Sequence, residues 1–148
     1  MKVMHKNSGF TLMELMTTIA IVAVLAAIAI PNMIGWRSGT KLQGAVENLR
    51  GDLQWAKLKA VQANGSVTVD FSVGANGYRV SGGGLTTRTR SLPSGVSIDI
   101  GATDFNGNDF ITFNNRGFPD NAGTVVIVST GGAGRNINVN RVGRININ

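Results

Sequence analysis

An α+β fold is predicted: one long N-terminal helix followed by an antiparallel β-sheet head. Three features of the 148 residues predict it. Phe10 to Ile30 is a 21-residue apolar run broken by one charge, Glu14. Leu42, Val46, Leu49, Leu53, Ala56 and Ala60 then recur at spacings of four and three, which places them on one stripe of a helix. Beyond Asn64-Gly65, short runs of alternating apolar residues are separated by glycine-rich turns, and the chain holds 20 glycines.

The first element carries the strongest signal. Ile19 to Ile30 reads "IAIVAVLAAIAI" without a polar residue. A run of about 20 such residues matches the hydrocarbon thickness of a bilayer, and core helices of soluble proteins are rarely apolar on every side. Lys2, His5 and Lys6 precede the run, so its start is expected to stay cytoplasmic and Ile30 to emerge on the far side. A secretory signal would be cut after a short apolar stretch, near Ala27 or Ala29. The more distinctive junction, Gly9-Phe10, lies ahead of the run, and a cut there removes the basic leader and keeps the helix. Glu14 is the anomaly. A charge at the bilayer centre costs roughly 3 kcal/mol, yet one turn from Phe10 this carboxylate lies only about 6 Å along the helix axis. Two readings stand: it sits near the headgroups at the positive helix N-terminus, or it pairs with the α-amine of Phe10, its own or a neighbour's.

After Pro31 the helical pattern resumes. Lys41, Glu47, Arg50, Lys57 and Lys59 avoid the apolar stripe, and Asn64-Gly65 is the expected stop. Gly35, Gly39, Gly44 and Gly51 each weaken a helix by up to about 1 kcal/mol; with Pro31 they mark places for a bend or local melting. Unbroken from Phe10 to Asn64, such a helix is about 80 Å long. Strands are expected at Val67–Val73, Tyr78–Val80, Thr86–Arg90, Val96–Ile100, Phe110–Phe113, Val125–Val128, Ile137–Val139 and Ile145–Ile147, forming one twisted sheet under the second half of the helix.

Composition narrows the function classes. Cysteine is absent, which excludes disulfides and thiol chemistry. The single histidine, His5, lies in the basic leader, so the remainder lacks the commonest general base. Asp70, Asp99 and Asp109 are too scattered to nominate a carboxylate pair, and no catalytic residue, cofactor or metal is expected. "DFNGND" at Asp104–Asp109 offers Asp104, Asn106 and Asn108 in calcium-loop spacing. Positions six and twelve are Asp109 and Asn115 rather than glycine and glutamate, so the loop reads as a turn. Formal charge is +6, of which Lys2 and Lys6 supply two. No acid follows Asp120, which leaves Arg135, Arg141 and Arg144 as candidate phosphate contacts for DNA. A solvated strand edge, kept from sheet-to-sheet association by charge, is the favoured reading of them.

"GFTLMELM" resembles the processing site of type IV pilins and type II secretion pseudopilins. The resemblance implies that a membrane prepilin peptidase cuts after Gly9 and N-methylates Phe10. It also implies that Glu14, the fifth mature residue, recruits the subunit to a growing filament, and that Pro31 interrupts the helix. "LRGDLQWAKLKAVQANGSVTV", "ITFNNRGFP" and "NVNRVGRININ" resemble the heads of H-type pseudopilins and FimT/FimU-type minor pilins. The implied layout is a leader at 1–9, a transmembrane assembly helix at 10–34 and a periplasmic α+β head at 35–148. The implied role is a minor pilin that primes a type IV pilus or sits at its tip, with an H-type pseudopilin of a type II secretion system as the alternative. Its implied partners are other pilins, the peptidase and an inner-membrane assembly platform; its implied place is the bacterial inner membrane, then the filament. Some FimT-type proteins bind DNA through a C-terminal Gly-Arg-x-Arg, which is a further alternative. Here Gly143-Arg144-Ile145-Asn146 lacks the second arginine.

Overall fold

The computed structural model describes residues 9–74 and 76–148, with Pro31, Asn32 and Ile34 described in backbone only. Lys2, His5 and Lys6 lie outside the described residues. Packing divides the chain into two units that meet between Trp36 and Arg37. Helix α1 (Leu12–Gln62) is α-helical for 51 residues and remains so through Pro31 and the four glycines, where bending or melting was anticipated.

The end of α1 is built by local chemistry. Asn64 turns left-handed at φ 48°. The Gly65 N–H then reaches the Ala60 carbonyl at 3.0 Å and the Asn64 N–H reaches the Val61 carbonyl at 3.2 Å. This pair of bonds is a Schellman stop, and asparagine tolerates the conformation it needs.

Beyond α1 lie β1 (Val67–Asp70), β2 (Gly77–Gly82), β3 (Leu85–Ser91), β4 (Val96–Ile98), β5 (Phe110–Phe113), β6 (Gly123–Ser129), β7 (Gly134–Val139) and β8 (Ile145–Ile147). Every expected strand is present, but the one anticipated sheet is two. Four strands pair in the order β3-β2-β1-β5 and four in the order β4-β6-β7-β8, all antiparallel. Period-two alternation marks which face is inward and leaves the neighbour undetermined, so the exchange of β4 and β5 between sheets has no sequence signal.

Two strands are shorter than expected, and aspartates shorten both. The Asp70 carboxylate accepts bonds from the Ser72 N–H at 2.8 Å and the Ser72 hydroxyl at 2.6 Å, turning the chain after Asp70. Asp99 does the same after Ile98, its side chain taking the Ala102 N–H at 3.2 Å and its carbonyl the Thr103 N–H at 2.9 Å. Phe71 stays fully buried although its strand has ended.

One core unites the second unit. The predicted helix stripe, Leu42 to Ala60, is buried at all six positions. It shares a contiguous cluster with Val67, Val69, Val80, Ile111 and Phe113 from one sheet and Ile98, Val125, Ile127, Ile137 and Val139 from the other. Phe71 stacks on Phe105 at 5.6 Å and 12° in that cluster.

A second, polar stripe on α1 was not anticipated. Lys41, Ala45, Asn48, Asp52 and Trp55 also repeat at four and three, and they face the edge strand β3 and the turn after it. The Lys41 ammonium donates to the Ser94 carbonyl at 3.2 Å. The Tyr78 hydroxyl donates to Asp52 at 2.6 Å, and Arg90 pairs with the same carboxylate oxygen at 3.2 Å. The Arg88 guanidinium lies 5.0 Å from the Trp55 ring centre. The spacing was legible; its partners, folded in from 26 or more residues away, were not.

Burial, then the bond to Asp52, pushes the Tyr78 phenol well above its ordinary 10.0. A raised folded value favours the protonated fold, so this contribution is fully present below pH 10 and is lost as pH climbs from there toward the folded value. The chain has one tyrosine, so tyrosinate absorbance near 295 nm reports Tyr78 alone. Titration of the native protein is expected to begin above pH 10 and to shift down to about 10 once the chain is unfolded in urea. Coincident titrations would show that Tyr78 is not held as described.

Candidate assembly and processing segment

Gly9 and Phe10 precede α1 and are exposed, Phe10 at 83%. Thr11 starts the helix: its hydroxyl accepts the Glu14 N–H at 3.2 Å. This is the first half of a capping box, whose sequence mark is Thr-x-x-Glu. Thr11 was not anticipated as the cap, although "TLME" carries the signal. The Glu14 carboxylate is exposed and has no ion pair among the described residues. Thr17 and Thr18 are occupied within the helix, their hydroxyls donating to the Met13 carbonyl at 2.8 Å and the Leu15 carbonyl at 2.7 Å. Glu14 is thus the one charged side chain of a helical surface that includes Leu12, Met13, Leu15, Met16, Ile19, Val22 and Leu25, each more than half exposed.

By length and composition α1 is able to cross a membrane; its most apolar window, with mean hydropathy 2.3, has none of its residues buried inside the molecule. Pro31 lies on the helix without a backbone N–H to offer Ala27.

The three C-terminal arginines are exposed but not brought together. Arg135 opens β7, whereas Arg141 and Arg144 lie on the turn at its other end, about 20 Å along a strand. Arg135 borders a cleft with Glu47, and Arg141 borders one with Asp120, so two of the three have acids nearby. In the 104–109 loop, the Asp104 carboxylate accepts the Gly107 N–H at 2.6 Å and the loop wraps the buried Phe105. Among the described residues no group of three or more His, Cys, Asp or Glu is placed to hold a metal. The cleft of about 190 Å³ between α1 and β3 is lined by Asn48, Asp52, Tyr78 and Arg90, and Asp52 is already engaged by the latter two.

A family model described as type II transport protein GspH matches residues 45–143, and one for a prokaryotic N-terminal methylation motif matches residues 4–30. The type IV major pilin protein PilA of Myxococcus xanthus is 51% identical over 45 residues, 30% of this chain and 20% of that protein. The type II secretion system core protein G of Vibrio cholerae is 39% identical over 49 residues, 33% of this chain and 34% of that protein. The chain therefore matches between a fifth and about a third of the length of these relatives. Crystal structures of the type IV minor pilin FimU of Pseudomonas aeruginosa share the fold, with TM-scores of 0.57 and 0.60 at 20% and 19% identity. They cover 72% and 76% of this chain and 92% of FimU.

Proposed function

The chain belongs to the GspH family of type II transport proteins, and from that footing we propose that it is a minor pilin or pseudopilin, a membrane-anchored subunit that enters a helical filament. The observation that carries this reading is the exposed apolar half of α1, which lies within a methylation-motif match and bears one carboxylate with no ion pair among the described residues. In water such a surface forces aggregation; in lipid, or among sister helices, it is at rest. Family and fold are those of structural pilins, and the proposal needs no bond to be made or broken by this protein.

In this reading a prepilin peptidase removes residues 1–9 and N-methylates Phe10. Residues 10–34 hold the inner membrane, with residues 35–148 as the periplasmic head. The compact unit from Arg37 to Asn148 supports a boundary there. Pro31 frees one carbonyl where the helix leaves lipid. Protein extracted from membranes of a peptidase-bearing host is expected to begin at N-methylated Phe10 by mass spectrometry, and to keep its basic leader in a strain without the peptidase. A full-length N-terminus in both strains would overturn the proposal.

The pilus and the secretion machine share this architecture, and the family match to GspH favours giving the second equal weight. Deleting the gene distinguishes them: loss of surface fibres marks a pilus subunit, and enzymes trapped in the periplasm mark a pseudopilin.

A further inference from the structure

In the head, four exposed apolar residues, Leu58, Val61, Phe118 and Val142, lie on segments that meet at one junction. The last turns of α1 present Leu58 and Val61, three apart and so on one helix face, at 53% and 47% exposure. The loop after β5 leans on that turn. Gly117 has φ 77°, and a Cβ there would stand 3.1 Å from Lys57 Cε and 3.2 Å from Val61 Cγ2. The β7–β8 turn closes over the same point: a Cβ on Gly143 would stand 2.7 Å from the Gly117 carbonyl oxygen, and the Lys57 ammonium donates to the Gly143 carbonyl at 3.0 Å. The Asn115 side-chain amide donates to Asn64 Oδ1 at 2.9 Å. A helix end and a loop from each sheet are thus fastened around Lys57.

The residues next to the two glycines, Phe118 and Val142, are 45% and 63% exposed. With Leu58 and Val61 they are the exposed apolar side chains carried by the three segments fastened here, and the core does not use them. Arg116, Arg141 and Arg144 flank it and are exposed. Among the described residues none of the three forms a salt bridge, and Arg141 borders a cleft with Asp120.

We propose that the Leu58–Val61–Phe118–Val142 surface, with its arginine rim, docks an acidic protein segment that carries apolar side chains and belongs to a neighbouring filament subunit. An apolar centre inside a charged rim is the anatomy of a protein interface, and the rim sets orientation and association rate. Sites for unpaired nucleic acid rely on aromatic platforms instead, and three of these four side chains are aliphatic. The cationic rim selects a partner with carboxylates. This inference rests on the filament-subunit reading.

The absence of cysteine makes the test clean, since one introduced thiol is unique in the chain. Full-length Val142→Cys and, as control, Thr89→Cys on the exposed edge strand β3 replace the native gene in its own host, and filaments are labelled with a benzophenone maleimide and irradiated. Val142→Cys is expected to cross-link to a pilin-like subunit, at a peptide containing Asp or Glu, about fivefold or more above Thr89→Cys. Adding Arg141→Glu and Arg144→Glu is expected to lower that yield about tenfold while Thr89→Cys is unaffected. Equal yields at the two positions, or adducts to DNA or lipid at Val142→Cys, would overturn the docking surface. The same samples report their N-termini: an unprocessed chain sinks the subunit reading, and a processed, filament-borne chain without the Val142 preference sinks this inference alone.

Discussion

Replacing Glu14 with alanine is expected to leave the chain in the membrane and remove it from the filament. Insertion depends on the apolar run, which loses nothing when a carboxylate becomes a methyl group. The helix start also survives, because the bond to Thr11 Oγ1 comes from the backbone N–H of residue 14 and alanine keeps it. What disappears is the one charge on the exposed apolar surface. In the proposed filament that charge meets the α-amine of a neighbour's Phe10 in a medium with little water. Removing one member of such a buried pair costs ~3–5 kcal/mol, which lowers incorporation on the order of a hundredfold or more. Immunoblots of sheared filaments against membranes from the same cells measure the ratio. Wild-type incorporation of Glu14→Ala would remove Glu14 from the assembly mechanism. Thr11→Ala supplies the contrast, because it weakens the cap by about 1 kcal/mol and leaves the charge in place.

The second large effect belongs to Phe71. Truncating it to alanine is expected to destabilise the head by about 3–5 kcal/mol, a large share of the roughly 5–15 kcal/mol that holds a domain. Its ring is fully buried, stacks on Phe105 and lies 6.4 Å from the Tyr78 ring, while its N–H is held by the Asp109 carbonyl at 2.8 Å. The backbone fixed at that position prevents the site from collapsing around the missing ring, so the cavity term remains. Urea unfolding of the detergent-solubilised protein, followed by circular dichroism, measures the loss. Phe110→Ala on the edge strand β5, where the side chain is 42% exposed, is expected to cost under about 1 kcal/mol. Equal losses for the two would show that Phe71 does not anchor the core.

These two residues also show where sequence reading succeeds and where it stops. Phe71 was expected inside because it continues the alternation of Val67 and Val69, and it is inside, although Asp70 has already ended the strand. The alternation records a demand for burial, which a turn satisfies as well as a ladder does. The helix stripe was legible for the same reason: six residues at four-and-three spacing leave one face to bury. Pairings across the fold left no trace. Tyr78 with Asp52 and Lys57 with the Gly143 carbonyl join positions 26 and 86 residues apart, and nothing local marks either partner. The arginines illustrate the opposite error, for Arg135, Arg141 and Arg144 are close in sequence and sit at two ends of a strand.

Thr17 and Thr18 give the N-terminal helix a property that its composition alone does not reveal. With both hydroxyls turned onto carbonyls of their own helix, they ask nothing of the surroundings, and Glu14 is the one charged side chain from Leu12 to Ile30. Hydrocarbon contacts between such helices are nearly indifferent to sliding. In the proposed filament, the level at which a cation meets Glu14 therefore sets the axial stagger from one subunit to the next.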